Sequence, residues 1–149
     1  MKLNNTAVRI IVSLLGIPII LGFCLWGGWS FVVFVGIISL TALYEFSLLL
    51  KGKGILFNYV VGFLSVIALL INVYLKITDT SILLVTIFLL LFFYELFRNK
   101  GSAILNTAGT ALGIIYLGFF TSHLILLREL YTSLPIYYER GGHLIITLM

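Results

Sequence analysis

Five long apolar runs, separated by short polar or glycine-rich breaks, make up most of the chain. The first extends from Ile10 to Trp26 and stops at Gly27 and Gly28, two flexible residues that form a turn before Trp29. The second runs from Ser30 to Leu50 and meets the basic turn Lys51, Gly52, Lys53, Gly54, after which the third occupies Ile55 to Leu75. Lys76, Thr78, Asp79 and Thr80 interrupt it. A fourth run, Ile82 to Phe97, ends at Arg98, Asn99, Lys100 and Gly101, and the fifth, Ala103 to Leu127, is richer in Gly and Thr. Crossing about 30 Å of hydrocarbon at about 1.5 Å per residue takes about 20 helical residues. Open strands cannot satisfy their backbone groups in lipid. The pattern therefore predicts an all-α integral membrane protein, a polytopic bundle of about five transmembrane helices plus the start of a sixth. That start is the apolar tail HLIITLM after Gly141 and Gly142. It is too short to span, so the expectation is that it continues in a longer parent chain.

Composition agrees with lipid as the solvent. Of 149 residues, 62% are hydrophobic and 9% charged, and the mean hydropathy is +1.23, which leaves too little polar surface to clothe a soluble domain. The formal charge of +4 forms no basic patch or stripe, which speaks against nucleic acid as a partner. It reads better as topology. Lys2, Arg9, Lys51, Lys53, Arg98 and Lys100 fall on one side of the predicted bundle, against Lys76, Arg128 and Arg140 on the other. The positive-inside rule then places the N-terminus in the cytoplasm. No small-residue cleavage site follows the first apolar run, so it is read as a retained helix. The single cysteine, Cys24, lies within that run and is read as core packing.

Few residues offer chemistry. Glu45 and Glu95 are the acids embedded in apolar runs, and a mid-membrane charge costs roughly 2.5 to 3.5 kcal/mol, which makes such residues functional candidates. Both also lie within about two turns of a basic break, where water and lysine are near, and Glu95 can reach Arg98 at i,i+3 spacing. Anchoring and a direct role stay open for both. Gly109 and Gly113 form a GxxxG step that suits close helix packing, and Gly52 and Gly54 suit a flexible turn better than a nucleotide loop. His123 and His143 stand without companions at metal-ligand spacing. Asp79, Glu129 and Glu139 are far apart and expected outside, so no carboxylate cluster for a magnesium ion assembles on the cytoplasmic face. Trp26, Trp29, Tyr74, Tyr131, Tyr137 and Tyr138 suit an aromatic belt at the outer interface. Tyr44-Glu45-Phe46 and Tyr94-Glu95-Leu96 each precede a basic, Gly-containing break, a weak internal repeat that would relate helices one and two to helices three and four.

The segments VRIIVSLLGIPIILG, the GGW turn, ALYEF and LILLREL, followed by a Gly-containing stretch and a fresh apolar run, resemble the N-terminal half of the phosphatidate cytidylyltransferase (CDP-diglyceride synthetase) family. Arg9, Pro18, Glu45 and Arg128 match its pattern. The resemblance implies a multi-pass enzyme of the bacterial cytoplasmic membrane that transfers CMP from CTP to phosphatidic acid, giving CDP-diacylglycerol and pyrophosphate with Mg2+. It also implies that the metal-holding carboxylates lie in a C-terminal half, because the family's Asp-Ala-Tyr, Ser-Pro-Lys-Lys and terminal Lys-Asp, His-Gly-Gly and Asp-Arg segments are not in this sequence. The expectation is thus an N-terminal transmembrane region with no catalytic or metal residues of its own and no independent activity. Its partners would be membrane lipids, phosphatidic acid and CTP, and either a separate C-terminal half or further copies of itself. Arg9, Lys51 and Lys53 are the candidates for attracting a lipid phosphate. The alternative class is a non-enzymatic or transporter-like helical-hairpin module, to which Glu45, Glu95 and the repeat would be central.

Overall fold

The computed structural model describes residues 5–98, 100–129 and 146–147, with side chains from residue 14 onward. Among them every regular element is helical: α1 (Asn5–Trp26), α2 (Gly28–Gly52), α3 (Tyr59–Leu75), α4 (Thr80–Arg98), α5 (Ala103–Ile114), a π-helical stretch (Ile115–Phe119) and α6 (Phe120–Glu129). The last three form one rod from Ala103 to Glu129. Three helices, Gly28–Gly52, Thr80–Arg98 and Ala103–Glu129, are long and apolar enough to cross a membrane, while Leu14–Trp26 and Tyr59–Leu75 are shorter apolar helices.

The breaks fall where glycine and polar residues stand. Gly27 and Gly28 both take left-handed φ, +60° and +55°, a conformation that strains any residue with a Cβ. The third helix starts later than its apolar run suggests. Residues 55–58 are non-helical, because Asn58 turns extended (φ −88°, ψ 95°) and accepts the Val61 N–H on its side chain as an N-cap. At the other end Lys76 closes α3 in the left-handed region and donates its N–H to the Asn72 carbonyl. Asn72 in turn clasps Thr78, donating to its carbonyl (3.0 Å) and accepting its N–H (2.9 Å).

Asp79 precedes α4 and accepts the Ser81 N–H at 2.7 Å. Hydrogen bonds from Ser81 hold its carboxyl below the usual range. Since the folded value is the lower one, this contribution is present at neutral pH and is lost as pH falls through it.

The chain divides into two compact units, residues 1–31 with 127–149, and residues 32–126. In the second, α3 packs on α4, α5 and the π-helical stretch, and α4 packs on α5. Leu69, Ile87, Leu91 and Ile114 form its buried apolar centre. The GxxxG step packs on α2 as its spacing predicts. A Cβ at Gly109 would stand 3.0 Å from Leu50 Cδ1, and one at Gly113 would stand 3.1 Å from Leu43 Cδ1, so the missing side chains let the helices approach. Gly118, in the π-helical stretch, meets Val66 and Leu69 of α3 in the same way.

A π-helical stretch disturbs the regular i to i−4 ladder. Here side chains answer its carbonyls: Thr121 Oγ1 donates toward Leu117 (2.7 Å) and lies 3.2 Å from the Gly118 carbonyl, and Ser122 Oγ donates to Phe119 (2.7 Å). Ser39 of α2 reaches Thr121 Oγ1 at 3.0 Å, tying that helix to the rod.

Candidate functional site

Polar residues gather where the C-terminal ends of α2 and α4 meet the segment before α3. Glu95 is 4% exposed, on the same face of α4 as Ile87 and Leu91. A carboxylate there needs partners. Asn106 of α5 donates its amide to Glu95 Oε1 at 2.7 Å and to the Lys100 carbonyl at 2.8 Å, while its Oδ1 accepts the Leu56 N–H at 2.8 Å. Arg98 approaches Glu95 Oε2 at 3.4 Å, the anticipated i,i+3 pair, and donates to the Leu56 carbonyl at 3.2 Å. Both polar groups of one backbone residue, Leu56, are thus held by side chains of two other helices. A third tie fixes the segment two residues on, where the Asn58 N–H donates to the Thr110 hydroxyl at 3.0 Å.

This clamped segment forms one wall of a small pocket of about 160 Å3 lined by Lys51, Ile55, Leu56, Phe57, Tyr59 and Arg98. Lys51 comes from the last turn of α2 and Arg98 from the last turn of α4, positions where a cation also complements the negative end of each helix dipole. Tyr59 stands edge-on to Phe57, with ring centroids 5.4 Å apart, and its hydroxyl lies 3.3 Å from that of Ser47. On the far side of Glu95, an apolar groove of about 480 Å3 runs between α4 and α5 along Phe88, Phe92, Ile104 and Ala108, with Glu95 and Thr107 among its lining residues.

The residues singled out in the sequence therefore part company. Lys51 lines the pocket, and Lys53 lies exposed in the turn beyond it. Arg9 belongs to α1, with its side chain outside the described residues. So are Asn99 and residues 130–145, with Tyr131, Tyr137, Tyr138, Glu139, Arg140, the Gly141-Gly142 break and His143. Glu45 is exposed on α2, so the two Tyr-Glu tripeptides occupy unlike environments.

In the other unit Cys24 is fully buried and unpaired to sulfur, in keeping with a packing role. Arg128, 8% exposed, pairs with Glu129 at 2.7 Å, and its guanidinium occupies the space that a Cβ on Gly27 would take. Asn106, Thr110, Tyr59 and the pocket-facing place of Arg98 were not singled out from the sequence. A polar amide early in the fifth apolar run was the available signal for Asn106.

The model of the cytidylyltransferase family matches residues 7–147. The chain belongs to that family. Comparisons with curated proteins and with solved structures return no match. Membership assigns this cytidylyltransferase-family chain to nucleotidyl transfer and leaves its acceptor open. Its apolar helices suit a member that works in a membrane.

The divalent metal implied by the resemblance can be tested against the donors present. Among the described residues no group of three or more His, Cys, Asp or Glu side chains converges. Glu95, the carboxylate of the site, is already engaged by Asn106 and Arg98. This donor set does not fit Mg2+, which needs oxygen ligands free to face the ion. What the arrangement can do is present two cations, Lys51 and a fixed Arg98, beside an apolar wall.

Proposed function

We propose that the chain serves phosphatidate cytidylyltransfer, in which CMP passes from CTP to phosphatidic acid to give CDP-diacylglycerol and pyrophosphate, and that it contributes the membrane-embedded, lipid-receiving part of the machinery. The observation carrying this reading is the family match over residues 7–147, joined to a sequence whose apolar helices suit lipid. In this reading the chain crosses a bacterial cytoplasmic membrane about five times with its N-terminus inside, which sets Lys51, Lys53, Arg98 and Lys100 at the cytoplasmic surface. CTP is found there, and anionic lipid is attracted to juxtamembrane lysine and arginine at about 1 kcal/mol each. Mg2+ would be held by residues other than those described, on this chain or a partner polypeptide.

Depletion of the chain from its host tests the reading without assuming that it acts alone. CTP labelled in its α-phosphate should enter CDP-diacylglycerol more slowly in the depleted membranes, with phosphatidate accumulating. Unchanged phosphatidate-dependent incorporation, or loss of label from a different lipid acceptor, would overturn it.

A further inference from the structure

We infer that the pocket between Lys51 and Arg98 is a binding site for the phosphomonoester headgroup of a membrane lipid, with the two cations as its ligands and Ile55, Leu56 and Phe57 as its apolar wall. This inference rests on the phosphatidate reading above and assigns it a place in the chain. The first support is charge. The pocket has two cations and no acid among its lining residues, and a phosphomonoester carries about −1.5 to −2 charge at neutral pH, against −1 for the phosphodiester of other anionic lipids.

The second support is availability. Among the described residues Lys51 has no ion-pair partner, and the one acid near Arg98 is Glu95 at 3.4 Å, whose other oxygen is engaged by Asn106 at 2.7 Å. Arg98 spends Nη1 on Glu95 and on the Leu56 carbonyl. Among the described residues its Nε and Nη2 have no partner, and a guanidinium with two donor nitrogens unspent suits phosphate oxygens.

The third support is preorganisation. A site whose walls must be ordered at the moment of binding loses affinity to that ordering. Here the Leu56 N–H and carbonyl are both pinned, by Asn106 and Arg98, and Asn58 is pinned by Thr110. The same Arg98 bond that holds the wall also fixes the guanidinium. Lys53 and Lys100 carry equal charge close by in sequence yet are absent from the pocket lining, so charge alone and geometry make different predictions.

The test uses the full chain in phosphatidylcholine bilayers containing a minor fraction of either phosphatidate or phosphatidylglycerol, with retained lipid counted by native mass spectrometry. The unaltered chain should retain phosphatidate over phosphatidylglycerol. Lys51→Gln and Arg98→Gln should each lower the preference for phosphatidate over phosphatidylglycerol about tenfold, the loss of one charge-assisted contact, while Lys100→Gln weakens both lipids alike and leaves that preference unchanged. Lys51 belongs to none of the clamp bonds, so its variant reports on the site even if Arg98→Gln unfolds, and Arg98→Lys should restore part of the preference. Equal losses of preference in Lys51→Gln and Lys100→Gln, or none in either, would overturn the site.

A phosphatidate preference that survives both pocket substitutions removes the site and leaves the phosphatidate reading standing. No preference in the unaltered chain removes both. Displacement of phosphatidate by equimolar CTP, or by inorganic phosphate, with the same dependence on Lys51 and Arg98 would assign the pocket to a soluble phosphate and overturn the lipid assignment.

Discussion

Glu45 and Glu95 stand in near-identical tripeptides, Tyr-Glu-Phe and Tyr-Glu-Leu, each a few residues before a basic break, yet one is exposed and the other is buried. Register separates them. The inward face of α2 runs through Val35, Ser39, Leu43 and Ser47 in steps of four, and Glu45 falls between those positions. The inward face of α4 runs through Ile87, Leu91 and then Glu95. Only at Glu95 does an opposing helix supply an amide, Asn106, to receive the carboxylate. A shared motif therefore does not carry a shared role. The acid that meets a partner becomes part of a clamp, and its counterpart stays on the surface.

The largest expected effect comes from removing the partner. Asn106→Leu leaves Glu95 without its shorter bond and frees the Leu56 N–H, and should cost about 3 kcal/mol, since a buried charge left uncompensated is expensive. Denaturant unfolding in bicelles reads this, and a cost below about 1 kcal/mol would mean that water reaches Glu95 and the contrast with Glu45 is false. Glu95→Ala should cost about 2 kcal/mol by the same measurement, because it removes the charge along with its bonds. Packing comes next. Gly113→Ala places a Cβ 3.1 Å from Leu43 and 3.2 Å from the Phe46 ring, and should cost about 1 kcal/mol by overpacking. Glu45→Ala should fall within about 0.5 kcal/mol of the unaltered chain, as exposed substitutions do. A value matching Glu95→Ala would restore the equivalence of the two tripeptides.

Much of the helical plan was legible in the sequence. Glycine and charged breaks at Gly27-Gly28, Lys51 to Gly54, Lys76 to Thr80 and Arg98 to Gly101 bracket the observed helices, because an apolar helix ends where flexible or solvated residues stop it. The start of α3 was not legible from hydropathy. Ile55, Leu56 and Phe57 are apolar enough to continue a helix, but Asn58 caps the next one and Asn106 and Thr110 draw their backbone aside.

The inward faces were hidden for a related reason. In a chain whose apolar helices suit lipid, many Leu, Ile and Phe lie on the outside, as Leu49, Leu90 and Phe93 do, while Ser39, Ser47, Ser65, Asn106 and Thr110 lie inside beside buried Leu and Ile. Apolar periodicity cannot tell the two apart, and small polar residues are the better guide to helix contacts. The candidate site was half visible. Lys51 was singled out for its charge and Glu95 for its depth, but the contact that makes a site of them runs through Asn106 and Arg98 and depends on how α4 and α5 pack.

The most direct test of the clamp is hydrogen–deuterium exchange at the Leu56 amide, whose N–H is held by Asn106 at 2.8 Å. Protection at that amide should collapse in Asn106→Leu, fall partly in Glu95→Ala, and persist unchanged in Glu45→Ala. Fast exchange in the unaltered chain, or an equal loss of protection in Glu45→Ala and Glu95→Ala, would contradict the account.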